Sequence, residues 1–189
     1  MPEPLTVGPR WLLLLVVAVL AVPTTLAHRA GRARLNEIFA YTSLSAVTLA
    51  VISSLALLVT RLPSHKETPV ELLQAAAALW VSNVLLFASW YWRLDGGGPN
   101  ARERRGGHVD GAFLFPQMSM EPGLKKLMGE EDWNPGFVDY LFLAFNTSTA
   151  FSPTDVPVLS RWAKVLMIVQ SVIALATVVL LAARAVNIL

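Results

Sequence analysis

Long stretches without a charged side chain alternate with short charged ones along this chain. Four windows lack Asp, Glu, Lys and Arg and are apolar almost throughout: Trp11–Ala27, Ile38–Thr60, Leu72–Trp92 and Val165–Ala183. A helix needs about 20 mainly apolar residues to cross about 30 Å of hydrocarbon, because each residue advances it by only about 1.5 Å. The second, third and fourth windows satisfy this, while the first is shorter and carries Pro23. A fifth uncharged stretch, Tyr140–Thr154, is too short to cross and ends in polar residues and Pro153, the pattern of a re-entrant or interfacial segment. The predicted fold is an all-α integral membrane protein forming a single domain over residues 1–189. Its spans fall near 11–27, 38–60, 72–92 and 163–187, with a re-entrant segment near 137–154 that opens with a short helix, and a polar loop over 93–136.

Composition agrees. Hydrophobic residues make up 54% of the chain and charged ones 15%, well under the roughly one quarter that covers a soluble domain. Disorder is excluded by the same abundance of apolar residues together with a net charge of only +2. The absence of cysteine removes disulfides, thiolate metal sites and a cysteine nucleophile together. The first window imitates a secretory signal, with Arg10, an apolar core and small residues at Thr25-Leu26-Ala27. Arg29, Arg32 and Arg34 follow at once, and basic residues just past an apolar segment resist translocation, so a retained anchor helix is expected.

The loop after the third window contains motif-like elements with plain readings. Asp95-Gly96-Gly97-Gly98-Pro99 stops a helix; no strand precedes it and no Gly-Lys-Ser/Thr follows, so it predicts a flexible exit turn, not a phosphate cradle. Phe113-Leu114-Phe115-Pro116 suits a membrane interface, and Glu121–Asp132 reads as a short polar amphipathic segment with a solvated acidic face. The basic run Arg102–Arg105 has no aromatic interleaving and fits positive-inside topology or anionic lipid, with no nucleic-acid partner. His28, His65 and His108 sit on separate loops without a spaced ligand pair and predict solvated histidines, with no metal and no cofactor. No H-E-x-x-H, G-x-S-x-G or Ser–His pairing within one span is present, so no enzymatic activity is expected. Trp80, Asn83, Phe87 and Trp90/Tyr91 form a packing stripe on the third span, and Ala46, Ala50 and Ser54 a close-packing face on the second.

The densest chemistry lies ahead of the last span. Trp133-Asn134-Pro135-Gly136 marks a turn, and Phe137, Tyr140, Leu141, Ala144 and Phe145 form an apolar stripe at helical spacing. The helix then meets a hydroxyl-rich run, Asn146 to Pro157. Irregular backbone at membrane depth persists only where it is buried in protein or lines water, so this run is the candidate site. The layout resembles the pore module of tetrameric cation channels, whose signature reads roughly T-T-V-G-Y-G-D-x-x-P before the inner helix. Gln170 and Ser171, polar residues within the last span, either line a water path or glue helices together. The resemblance places Thr147, Ser148, Thr149, Ala150, Phe151, Ser152, Pro153, Thr154 and Asp155 at the filter. It implies a homotetramer and an inorganic ion as partner. The chain departs from the signature at both filter glycines, replaced by Ala150 and Ser152, and all 11 glycines lie outside the four spans and outside Tyr140–Thr154. A carbonyl filter relies on backbone conformations that glycine reaches most easily, so potassium selectivity of the usual kind is not expected.

A broader likeness runs through Phe87–Trp92 with Asp95–Pro99, Phe115-Pro116-Gln117, Phe137–Leu141, Thr149–Asp155 and Ala182 with Arg184–Asn187. In these segments the chain resembles a bacterial family of multi-pass membrane proteins grouped as a domain of unknown function. The resemblance implies the bacterial plasma (inner) membrane, a lipid bilayer as partner and a shared loop design, and it implies no activity. Two functions follow as expectations: an ion-channel-like pore-loop protein, or a non-transporting scaffold or lipid-interacting protein in which the same segment plugs the helix bundle.

Charge sets the expected orientation. Arg29, Arg32, Arg34, Arg93, Arg102, Arg104, Arg105, Arg161 and Lys164 stand on one side, against Arg10, Arg61, Lys66 and Arg184 on the other. The richer side is cytoplasmic by the positive-inside rule, which places the long loop inside, opposite to the usual channel direction. Single cysteines at Ala33 and Gly107 should therefore resist a membrane-impermeant thiol reagent on intact cells. Labelling of either from outside would reverse the orientation.

Overall fold

The computed structural model describes residues 33–61, 69–105, 108, 111–150 and 155–185. Within them the chain is all-helical: α1 (Ala33–Arg61), α2 (Pro69–Leu94), α3 (Pro99–Arg105), α4 (Pro122–Met128), α5 (Phe137–Ala150) and α6 (Arg161–Ala185), with 3-10 turns at Asp95–Gly97 and Pro116–Ser119. Three helices are long and apolar enough to cross a membrane, over Arg34–Thr60, Val70–Arg105 and Arg161–Ala183. They cover the second, third and fourth expected spans. The first, near 11–27, lies outside the described residues. The described residues divide into two compact units, with boundaries after Leu86 and after Val172.

In the first unit the buried positions of α2 include Leu72, Ala75, Ala76, Leu79 and Asn83, spaced so that they share one helical face. The small alanines allow close backbone approach, which drives packing where the hydrophobic effect between helices is absent. On α1, Val51, Ser54 and Leu58 are buried while Leu49, Ile52 and Val59 stand exposed. Apolar side chains on an outer face suit hydrocarbon as solvent. Hydroxyls on the same helix donate to the carbonyl four residues back, as Thr42 does to Ile38 at 2.8 Å and Thr48 to Leu44 at 2.6 Å. These bonds satisfy the hydroxyls within the helix, as a water-free environment demands.

The second unit holds the end of α2, the loop, α5 and the start of α6. Its core is aromatic. Phe113, 1% exposed, meets Tyr91 at 5.2 Å, Trp162 at 6.1 Å and Tyr140 at 6.2 Å between ring centroids, all edge to face, the arrangement favoured by ring quadrupoles. Leu114 N–H donates to Pro157 O at 3.0 Å and Leu159 N–H to Ala112 O at 2.7 Å, making an isolated antiparallel bridge between Phe113 and Val158. The segment before α6 is thereby fastened to the segment before the second 3-10 turn.

One expectation about α5 changes. The helix runs on through Asn146, Thr147, Ser148 and Thr149 to Ala150, so the first half of the hydroxyl-rich run is regular helix. Its buried face is rotated from the apolar stripe of the sequence. Tyr140, Leu143, Ala144, Thr147 and Ser148 are buried, whereas Phe137, Phe142 and Phe145 are exposed. Polar side chains turn inward because that is where partners exist.

Candidate functional site

The site is built on the end of α2. Gly96, Gly97 and Gly98 all have positive φ, at 56°, 78° and 85°, and reverse the chain at once. At Gly98 a Cβ would stand 2.7 Å from the Arg93 carbonyl oxygen, so only glycine fits there. The reversal brings Arg102 of α3 back under α2, where its Nη1 donates to Trp92 O at 2.9 Å and Asp95 O at 2.6 Å. A cation bonded to the last carbonyls of a helix satisfies orphan acceptors and complements the negative end of the helix dipole. The guanidinium also lies over the Tyr140 ring, 5.6 Å from its centroid.

Asp95 itself is fully buried. Its Oδ1 accepts from Ala112 N–H, and its Oδ2 accepts from the Tyr140 hydroxyl at 2.8 Å and from His108 Nε2 at 2.7 Å. Burial, and then the Asp95 charge and hydrogen bond, push the Tyr140 phenol well above its ordinary range, so it stays protonated and donates. The His108 side chain is only 5% exposed, which corrects the expectation of a solvated histidine. The ring packs against Gly111, where a Cβ would come within 2.0 Å of it. The His108 backbone N–H donates to Asn134 Oδ1 at 3.2 Å. His28 and His65 lie outside the described residues. The glycine turn is accordingly not a free exit turn: one carboxylate ties it to the 111–113 segment, to His108 and to α5.

A second polar layer lies one helical turn along from the first. Tyr91 stands four residues before Asp95 on α2, and Ala144 four residues after Tyr140 on α5. Gln170 of α6, also fully buried, joins them. Its amide donates to Ala144 O at 2.7 Å and to Ser148 Oγ at 2.8 Å, and its Oε1 accepts from the Tyr91 hydroxyl at 2.5 Å. Both amide hydrogens and the amide oxygen are thus engaged, and three helices meet at one side chain.

The start of α5 is also specified locally. Gly136 N–H donates to Asp139 Oδ2 at 2.7 Å, the reciprocal half of a capping box, and Pro135 precedes it. The 14 residues of α5 advance about 21 Å, short of a bilayer's hydrocarbon core. Residues 157–159 then lie beside Ala112–Leu114, next to the Asp95 and Tyr140 layer from which α5 departs.

The expected filter residues are distributed as follows. Thr147 and Ser148 are buried, 2% and 0% exposed, with the Thr147 hydroxyl donating to Leu143 O at 2.8 Å. Thr149 and Ala150 are exposed, Thr149 donating to Phe145 O at 2.9 Å. Phe151, Ser152, Pro153 and Thr154 lie outside the described residues, and Asp155 is exposed. Gln170 is buried among helices and Ser171 half-buried. No group of three or more His, Cys, Asp or Glu side chains that could hold a metal occurs among the described residues.

Comparison with protein-family models, curated proteins and solved structures gives no match. The geometry alone carries the functional reading.

Sequence reasoning missed Asp95, His108 and Tyr140 as one constellation, and Tyr91 with Gln170 as a second. The available signal was a carboxylate at the very end of an apolar span, followed by three glycines, with a tyrosine four residues earlier. Asp95→Ala removes the shared acceptor of three donors and should destabilise the protein by about 3 kcal/mol or more, since each stranded buried donor costs about 1–3 kcal/mol. Tyr140→Phe leaves the carboxylate its other partners and should cost only about 1 kcal/mol. Unfolding in detergent micelles tests the ordering. Equal effects from the two changes would mean that Asp95 is not the organising acceptor.

Proposed function

We propose that this chain is a multi-pass membrane protein in which α5 and the following segment form a re-entrant hairpin, and that the hairpin acts as a packed plug in a non-transporting, lipid-interacting scaffold. Support for the plug comes from one observation above all. The Gln170 amide is fully used in clamping α5 through Ala144 O and Ser148 Oγ, with Tyr91 closing the third side. A filter needs oxygens free to replace an ion's water shell. Here the Thr147 and Ser148 hydroxyls are buried, and the backbone carrying them is helical. Re-entry is supported by the return of residues 157–159 to the level at which α5 begins. The resemblance to bacterial multi-pass proteins is consistent with an inner-membrane location.

A pore formed by several copies is the second reading. Thr149 and Ala150 at the end of α5 favour it, being exposed and so available to an axis shared between subunits.

Liposomes carrying the purified protein should show no flux of potassium, sodium or chloride above protein-free vesicles. Gln170→Leu should lower stability by about 2 kcal/mol, taking three lost interhelical hydrogen bonds at about 0.6 kcal/mol each. Robust wild-type conduction that Thr149→Val abolishes would replace the plug by the pore. Re-entry has its own check. Cysteines at Asp139 and Asp155, introduced singly, should react with impermeant reagent from the same side of the membrane, and reaction from opposite sides would refute it.

A further inference from the structure

The seven-residue helix α4 is well terminated yet almost entirely uncovered. Pro122 occupies its first turn, and Gly129 closes it in the left-handed conformation, with its N–H donating back to Lys125 and Lys126 carbonyls. Leu124, Leu127 and Met128 stand at i, i+3 and i+4 and are 46%, 84% and 59% exposed. They form one stripe. Lys126 projects opposite this stripe and Lys125 beside it. Neither makes an ion pair among the described residues, although Glu121, Glu130, Glu131 and Asp132 are near in sequence. So short a helix has little stability in water by itself and gains most from covering its apolar face.

The position of α4 says what covers it. Five residues beyond Met128, the Trp133 ring packs 5.7 Å from Phe115, which packs 5.3 Å from Tyr140 in the first turn of α5. Phe137, at the start of α5, packs edge to face on Trp92 at 5.8 Å, near the end of a membrane-length helix. Trp92, Trp133 and Phe137 thus mark the level where α2 ends, the level at which amphipathic aromatic rings meet headgroups. A stripe of leucine and methionine held beside that level, with unpaired lysines on its other flanks, has the composition of a helix lying in a bilayer interface. We propose that α4 is a membrane-surface foot: Leu124, Leu127 and Met128 enter the headgroup–acyl boundary, and Lys125 and Lys126 hold anionic phospholipid headgroups. The acidic run begins after the Gly129 reversal and stays in water. The proposal rests on the membrane placement above and not on whether α5 is a plug or a pore.

The chain has no cysteine, so single cysteines can carry an environment-sensitive fluorophore in the full-length protein, reconstituted in nanodiscs. The probe goes at Leu127, at Glu131 as an aqueous reference, and at the exposed Ile168 of α6 as a lipid reference. Brominated acyl chains should quench positions 127 and 168 and spare 131, and aqueous iodide should quench 131 severalfold more than 127. Replacing phosphatidylcholine by phosphatidylglycerol should deepen the quenching at 127, and Lys125→Glu with Lys126→Glu should abolish that gain. Quenching at 168 but iodide access at 127 equal to that at 131 overturns the foot and leaves the membrane placement intact. Loss of lipid quenching at 168 overturns both. Protection of 127 from iodide without quenching by brominated lipid overturns the foot too, because it assigns the stripe to a second copy of the chain.

Discussion

Hydrocarbon supplies no hydrogen bonds, so every polar group in or beside it has to find its partner within the protein. Around this constraint residues 87–172 are organised, and Asp95 states it most sharply. A carboxylate withdrawn from solvent at the end of a membrane-length helix survives only with its oxygens occupied. Tyr140, His108 and Ala112 occupy them. Each of those donors belongs to a different stretch of chain, so satisfying one side chain positions the rest: α5 through Tyr140, the loop through His108, the bridge to Val158 through the 112–114 segment. Arg102 performs the matching task for the carbonyls at the end of α2.

The same constraint explains why α5 is polar inside and apolar outside. In water a helix turns Phe137, Phe142 and Phe145 inward and its hydroxyls outward. The exposed phenylalanines fit the apolar medium of the proposed membrane placement, whereas Tyr140 and Ser148 have their hydrogen-bond partners toward α2 and α6. Gln170 converts that preference into a specific register, because its amide accepts and donates at three fixed points one turn from the Asp95 layer. Between the two layers, Phe113 fills space edge-on against Tyr91 and Tyr140. Packing and polar satisfaction select one arrangement jointly, where either alone would leave the short helix free to slide.

This arrangement also separates likeness in sequence from likeness in chemistry. A hydroxyl-rich run ahead of a final span resembles a pore loop when it is read as a string. In the fold, Thr147, Ser148 and Thr149 are helical, and the first two are turned into the protein. Hydroxyls bonded to their own helix or to Gln170 serve cohesion before they serve an ion.

An all-helical fold, the positions of the three long apolar helices and the short helix before the last one are legible in the amino-acid sequence alone. Those features depend on local quantities: the length of a charge-free run, the stop imposed by three consecutive glycines, the turn at Asn134-Pro135-Gly136. Which groups meet depends on how the folded helices pack. His108 reads as a loop histidine because nothing within ten residues of it reveals a carboxylate thirteen residues away. Asp95 reads as turn punctuation for the same reason. The buried face of α5 is not legible in the sequence, because apolar spacing identifies a stripe without saying whether the core or the surrounding medium is the more apolar. Pairing of Tyr91, Ser148 and Gln170 spans 79 residues of chain, and contacts at such separation are set by how helices pack, a property no local pattern contains.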